Sequence, residues 1–553
     1  MSSQLRGILA TVSFALVFSA NVPAATAQQN PANEVRADLS LTAVGRQHHA
    51  ISTKNPEAQE YFDQGITLIY GFNHEEAMRA FQRAAELDPS SPMPLWGVAV
   101  AVGPNYNMDV DAQREKIAYE TVQKAQKLAA RAPQIEKDYV AALAARYSSE
   151  PDPDYKKLAR DYAAAMKALS AKYPDDLDAA TFYAESLMDL SPWRLWTHDG
   201  QPTENTEEIV RVLESVLARD PNHAGSNHYY IHAVEASPHP EKALMSARRL
   251  DTMVPQAGHL VHMPAHIYER TGDFEAAARN NAEAAKVDRI YAEKAGQAGS
   301  IYDLMYHSHN EHFEAMAASM AGRYAEAKGA ADALAKRLIS HAKMMPMLDG
   351  FIMTPIWVDA RFAKWDGILT RPEPLKELQG THAMWRYSRV LAYAAKGNVR
   401  EAAKEREFFA AEFAAFPADA MLGEMNKAKD VLGVASHIID ARIAAAEGPP
   451  DTAIEHWKKA VEIQDTLNYD EPADWYYPVR ESLGTALLNS GKSLEAEQVF
   501  REDLRQNPRN PRSLFGLMQA LRAQKRDADA AWVETQFKSA WKGADTDLIF
   551  APL

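Results

Sequence analysis

The chain has 553 residues, a formal net charge of −15, 18 histidines and no cysteine. The acidic balance argues against a nucleic-acid partner, whose binders carry basic surface. The missing cysteine removes disulfides, thiolate metal sites, iron–sulfur clusters and thiol nucleophiles together.

The first residues read as an export signal. Arg6 gives a short positive region, residues 7–20 are apolar, and Ala25-Thr26-Ala27 is a small-x-small cleavage site before Gln28. A run of that length is too short for a bilayer core, which needs about 20 residues, and no second run follows. The expectation is a signal peptide over 1–27, an N-terminal extension over 28–54, and a periplasmic or secreted protein without a membrane anchor.

From residue 61 the chain reads "YFDQGITLIYGFNHEEAMRAFQRAAELDPSS". Large residues and a glycine mark one helix, 71–74 a turn, and Ala77, Phe81 and Ala84 a second helix that Pro89 ends. The same grammar returns at Ala243 with Pro255 and at 272–285, 321–330, 396–405, 448–462 and 491–510. This resembles the tetratricopeptide repeat, a helix–turn–helix unit of about 34 residues. The resemblance implies an all-α, right-handed solenoid with irregular loop insertions and a concave groove where ligands bind. One amphipathic helix pair cannot bury its apolar face alone, whereas stacked neighbours build a continuous core. The units divide into N-terminal repeats over 55–223, central histidine-bearing repeats over 224–345, C-terminal repeats over 346–545, and a tail over 546–553. Irregular insertions fall at 191–205, 366–380 and 466–477. Trp193 and Trp196, in the first of these, read either as a lid over the groove or as a plug for the gap the loop leaves.

Histidines recur in the central units. "HYYIHAVE" (228–235) is followed 34 residues later by "HMPAHIYE" (262–269). Aligned on their second helices, three successive first helices offer His228, His232 and Glu235; His259, His262, His266 and Glu269; and His309, His312, Met316 and Ser319. Spacings of three and four residues place these side chains on one helix face. Imidazoles on helices about 8–10 Å apart can share an ion through bonds of about 2 Å, so the ladder reads as a metal site, with His307 as an added candidate. Pro264 interrupts the second helix and should bend it. Glu235, Glu269 and Glu185, the last in the slot of His232 one repeat earlier, are candidates for a general base, a ligand or an orienter of imidazole.

A nitrogen-rich set without sulfur from cysteine favours copper, with zinc or iron as alternatives. Six histidines on several helices match coupled binuclear copper proteins in ligand count and spacing. The zinc-protease pattern is absent, because Tyr229 and Met263 stand where its glutamate would. The sequence therefore points to an exported metalloprotein, read first as a copper-type oxidoreductase acting on a small organic molecule. A metal-delivery protein, a zinc-type hydrolase, and an interaction scaffold binding a peptide or protein in its groove are the alternatives.

Overall fold

The computed structural model describes residues 47–423, 425–448 and 450–553. The signal peptide expected over 1–27 and the first part of the extension lie outside them. Helices follow one another through the described residues, whose only β pairing is isolated bridges such as Trp196 with Pro202. The chain is an all-α array of stacked helical hairpins.

The first hairpin shows why the sequence folds this way. The Asn55 side chain accepts from the backbone N–H of Glu57 and Ala58, and Pro56 opens the helix Pro56–Tyr70. Phe72 takes a left-handed φ of 54°, and Asn73 caps the next helix, His74–Leu87. The ring of Phe81 then wedges between two glycines. A Cβ added at Gly65 or at Gly97 would lie 2.4 Å from that ring. Gly484, Phe500 and Gly516 repeat the device near the other end of the chain, where added Cβ atoms would meet Phe500 at 2.5 and 2.2 Å. In both places the three residues are spaced 16 apart (65, 81, 97; 484, 500, 516), so one packing unit serves both ends.

The array curls back onto its own middle. The tail over 546–553 is docked: Arg512 donates to the carbonyls of Ile549 and Ala551 at 2.7 and 2.8 Å. Just before it, Asp545 accepts from the N–H groups of Tyr324 and Ala325 at 2.7 and 2.9 Å. From the N-terminal side, Tyr291 donates to Glu76 at 3.0 Å and Asn107 to Tyr306 at 3.1 Å. Arg270 lies over the ring of Tyr469 at 5.6 Å. The central histidine helices are thus covered from both ends of the sequence, and they do not line an open concave groove. Among the described residues no helix is long and apolar enough to cross a membrane.

Candidate metal centre

The first histidine helix, Ala224–Val234, is buried along its whole length. His223 caps it by accepting from Ser226 N–H. A Cβ at Gly225 would fall 2.4 Å from the ring of Tyr70, so the glycine lets the first hairpin approach closely. That approach delivers a ligand-orienting group: the Tyr70 carbonyl accepts from His228 Nδ1 at 2.5 Å.

The second helix is broken where its proline demands. It runs as Gly258–His262 and then Pro264–Arg270, with Pro264 at the start of the second piece. The break does not separate the pair on either side of it. His262 and His266 face each other through Nε2 atoms 2.6 Å apart.

The third helix, Ser308–Met320, follows a single π-helical turn over Asp303–His307. The register expected from repeat alignment holds across it, since the leading histidine of each helix meets the next histidine of the helix before: His259 meets His228 as His309 meets His262. His309, not His312, meets the second helix, its Nε2 lying 3.1 Å from Nε2 of His262. His312 packs against Phe351 and Tyr476, and neither of its nitrogens has a hydrogen-bond partner among the described residues. His307 turns away to Asp303, 2.8 Å from its Nδ1. Both expected ligands thus stand outside the cluster.

Six imidazoles remain, in two groups of three. His228, His232 and His259 bring one ring nitrogen each within 4.8 Å of the others, and His262, His266 and His309 do the same. Nε2 of His228 and of His259 are 3.1 Å apart. The groups adjoin, with ring centroids of His232 and His266, and of His259 and His262, each 5.6 Å apart. All but the half-buried His309 are buried.

Four of the six rings are tied at Nδ1 by an acceptor. His228 donates to Tyr70, and His262 to Asn281 Oδ1 at 2.6 Å, whose own amide is fixed by donation to Ala277. His232 and His266 both donate to Glu235, at 2.8 and 2.6 Å. An acceptor at Nδ1 places the proton there and leaves the Nε2 lone pair free, which is how metal-ligating imidazoles are held. Nε2 of His232 has no hydrogen-bond partner among the described residues.

Electrostatics keep four of the six rings in the neutral form that leaves a lone pair free. Burial, helped by neighbouring imidazoles, drives His228, His259, His262 and His309 well below the usual imidazole range, so these rings are neutral. His266 is the exception. Burial opposes its charge, but Glu471 and Glu235 outweigh it and raise the ring to about 10.

Of the three glutamates singled out from the sequence, Glu235 joins one ring of each group. Glu269 lies beside Glu471 and His266, and burial together with Glu471 raises it well above the carboxylate range. Glu185 sits elsewhere, in a buried neighbourhood with Asp189 and Arg146, where burial raises it to about 8. It belongs to neither group of imidazoles.

Sequence reasoning missed several members. Glu471, in the irregular 466–477 insertion, lies against His266 Nδ1, and burial pushes it up to about 7 against the pull of that imidazole. Phe72 packs on His228, His232 and His259, and Phe313 on His262, His266 and His309, at centroid distances between 4.6 and 5.9 Å. Trp193 carries the 191–205 insertion to the cluster. Its ring stands 5.5 Å from His232 and 5.2 Å from Tyr106, with the backbone at a left-handed φ of 60°. Trp196 serves as the anchor, donating to the Ala233 carbonyl at 2.8 Å. For Trp193 and Glu471 the signal that could have found them was the insertions themselves, since 191–205 and 466–477 each bring one residue to the cluster.

A cleft of about 420 Å³ lies far along the chain, between Arg501, Leu517, Arg526 and Trp532.

No family description and no curated protein matches the chain. Among solved structures, yeast Tom70 aligns at 12% identity with a TM-score of 0.30, over 88% of this chain and 98% of that one. The TPR domain of P58(IPK) aligns at 12% identity and a TM-score of 0.22, over 85% and 98%.

Proposed function

We propose that the two groups of imidazoles hold a pair of transition-metal ions, copper favoured, and that the protein is an oxidoreductase acting on a small molecule. One observation carries the reading: six imidazoles in two adjoining groups of three, four of them with Nδ1 tied to an acceptor. Three nitrogen ligands leave each ion a coordination position for a reacting molecule. Imidazole without thiolate suits copper, and affinity along the divalent series peaks there. A copper pair would supply two one-electron couples side by side.

The protein's own part is positioning and exclusion. Tyr70, Asn281 and Glu235 orient the rings, while Phe72, Phe313 and Trp193 keep bulk water off them. Glu269 and Glu471 place carboxyl groups within the same enclosure, where proton donors to a small oxidant are useful. Export through the 1–27 segment is part of the proposal, and sequencing the mature N-terminus tests it, with Gln28 expected.

A second reading, metal storage or delivery without turnover, is favoured by the depth of burial. Elemental analysis of the purified protein, followed by absorption spectra before and after reduction, separates the readings. Two copper ions per chain with oxygen-sensitive absorption support the first, and copper with no spectral response to oxygen supports the second. The double variant His232→Ala, His266→Ala should lose metal while keeping its helix content. Unchanged metal content in that variant would show that the ligands lie elsewhere.

A further inference from the structure

A second cluster of metal-binding chemistry lies on the C-terminal half, away from the central histidines. His437 and Asp440 are one turn apart on the helix Ala428–Glu447, and His456 projects from the next helix, Pro450–Gln464. Such i, i+3 spacing puts the first two on one face. The Nδ1 atoms of His437 and His456 are 3.4 Å apart. Asp440 Oδ2 is 3.8 Å from the same nitrogen of His456, and one donor atom from each of the three lies within 4.8 Å of the others.

These separations suit an ion better than a hydrogen bond. Two metal–nitrogen bonds of about 2.0–2.1 Å meeting at the tetrahedral angle span about 3.4 Å, whereas N–H···N contacts work best nearer 3 Å. Arg406 supports the carboxylate from a third helix, Val399–Ala415, donating through Nε to Asp440 Oδ1 at 2.5 Å. That bond occupies one carboxylate oxygen and leaves Oδ2 directed at the imidazoles, the arrangement in which an outer partner orients a ligand. All three side chains are half-buried. Each is thus held by its helix yet reachable from solvent, and a fourth position remains for water.

We infer that His437, Asp440 and His456 form a mononuclear site for a borderline divalent cation, zinc by preference, that staples two consecutive helices of the C-terminal repeats. Two nitrogens and one oxygen match zinc, and a single carboxylate is too little oxygen for calcium or magnesium. The site is independent of the central centre. It shares no residue with it and differs in ligand set, exposure and expected ion.

The test is equilibrium dialysis of the full-length protein against Zn²⁺, with the wild type, His437→Ala with His456→Ala, and His232→Ala with His266→Ala compared in parallel. The His437/His456 variant should bind one zinc fewer than wild type, and the central variant should keep that zinc. Asp440→Asn, which preserves shape, should weaken the same zinc, and thermal melts with and without Zn²⁺ should show stabilisation in wild type that the His437/His456 variant lacks. Equal zinc stoichiometry in wild type and the His437/His456 variant, or zinc bound without any shift in the melt, overturns the inference. Loss of metal in the central variant, alongside the loss of one zinc in the His437/His456 variant, would bear on the dinuclear reading and leave this site standing.

Discussion

The carboxylate of Glu471 lies against Nδ1 of His266, although the two residues are 205 positions apart in the chain (266 to 471). The contact exists because the array curls back on itself, and it makes a late insertion part of a centre built from central helices. Glu471→Gln keeps the shape and removes the charge. Outer partners of ligating imidazoles are worth about 10–100-fold in metal affinity, so the variant should lose affinity in that range without change in circular dichroism. Competition titration against a chelator reads it directly.

Glu235 differs in reach, since it accepts from His232 in one group and His266 in the other. Glu235→Gln should therefore weaken both ions together. His228→Ala removes a ligand from one group only and should leave one ion per chain. Metal-to-protein ratios for the two variants make the comparison.

Trp193 covers His232 from an insertion pinned by the Trp196–Pro202 bridge and by the Trp196 hydrogen bond to Ala233. Trp193→Ala opens that side of the enclosure and removes a bulky side chain from left-handed backbone. Chelator-driven loss of metal should become faster while equilibrium affinity changes little. Stopped-flow removal kinetics would show it, and an unchanged rate would mean that ions leave by another route.

In the C-terminal half, Glu481 is buried between two arginines. It accepts from Arg361 Nη2 at 3.0 Å and from Asn510 at 2.8 Å, and Arg512 Nε stands 2.9 Å away. Removing one partner of a buried ion pair costs about 3–5 kcal/mol because the others stay charged and dry. Glu481→Ala should destabilise by that amount in denaturant unfolding. Metal stoichiometry measured below the transition should not change.

The N-terminal hairpin carries a pH signature. Asp178 accepts from Tyr70 Oη at 2.5 Å and pairs with His49 at 2.8 Å and His223 at 3.1 Å. Burial would raise Asp178, but these histidine hydrogen bonds outweigh it and hold the carboxyl well below its usual range. Its stabilisation is present above the unfolded value of about 3.9 and is lost as pH falls from there. Burial likewise opposes the charge on His49, yet Asp178 outweighs it and raises the ring. That contribution is full below about 6.5 and fades as pH rises through the raised value. The melting-temperature advantage of wild type over Asp178→Asn should thus be widest between about pH 5 and 6.5, shrinking on both sides. An advantage that stays flat from pH 3 to 9 would argue against the pairing.

The hairpin array was legible because its grammar is local. Gly65, Phe81 and Gly97 lie on successive helices, separated by a turn with glycine and asparagine (71–73) and one with prolines (88–92). The histidine helices were legible for the same reason, and Pro264 broke its helix where the chemistry of proline requires. One thing was not local. Superhelical closure cannot be read from any single repeat, so Tyr70, Phe72 and Glu471 appeared unrelated to residues they touch. Burial of the imidazoles follows from that closure as well, where the repeat pattern alone suggested an open groove.

A ribosome that has synthesised the chain through Leu338 has already supplied all six imidazoles, the Tyr70 carbonyl and Glu235, but not Glu471. The acidic neighbour of His266 arrives only when most of the remaining repeats have emerged and wrapped back. A protein truncated before residue 471 would carry every expected ligand and still lack part of its enclosure. Full occupancy by metal would therefore report that synthesis and folding have both reached their end.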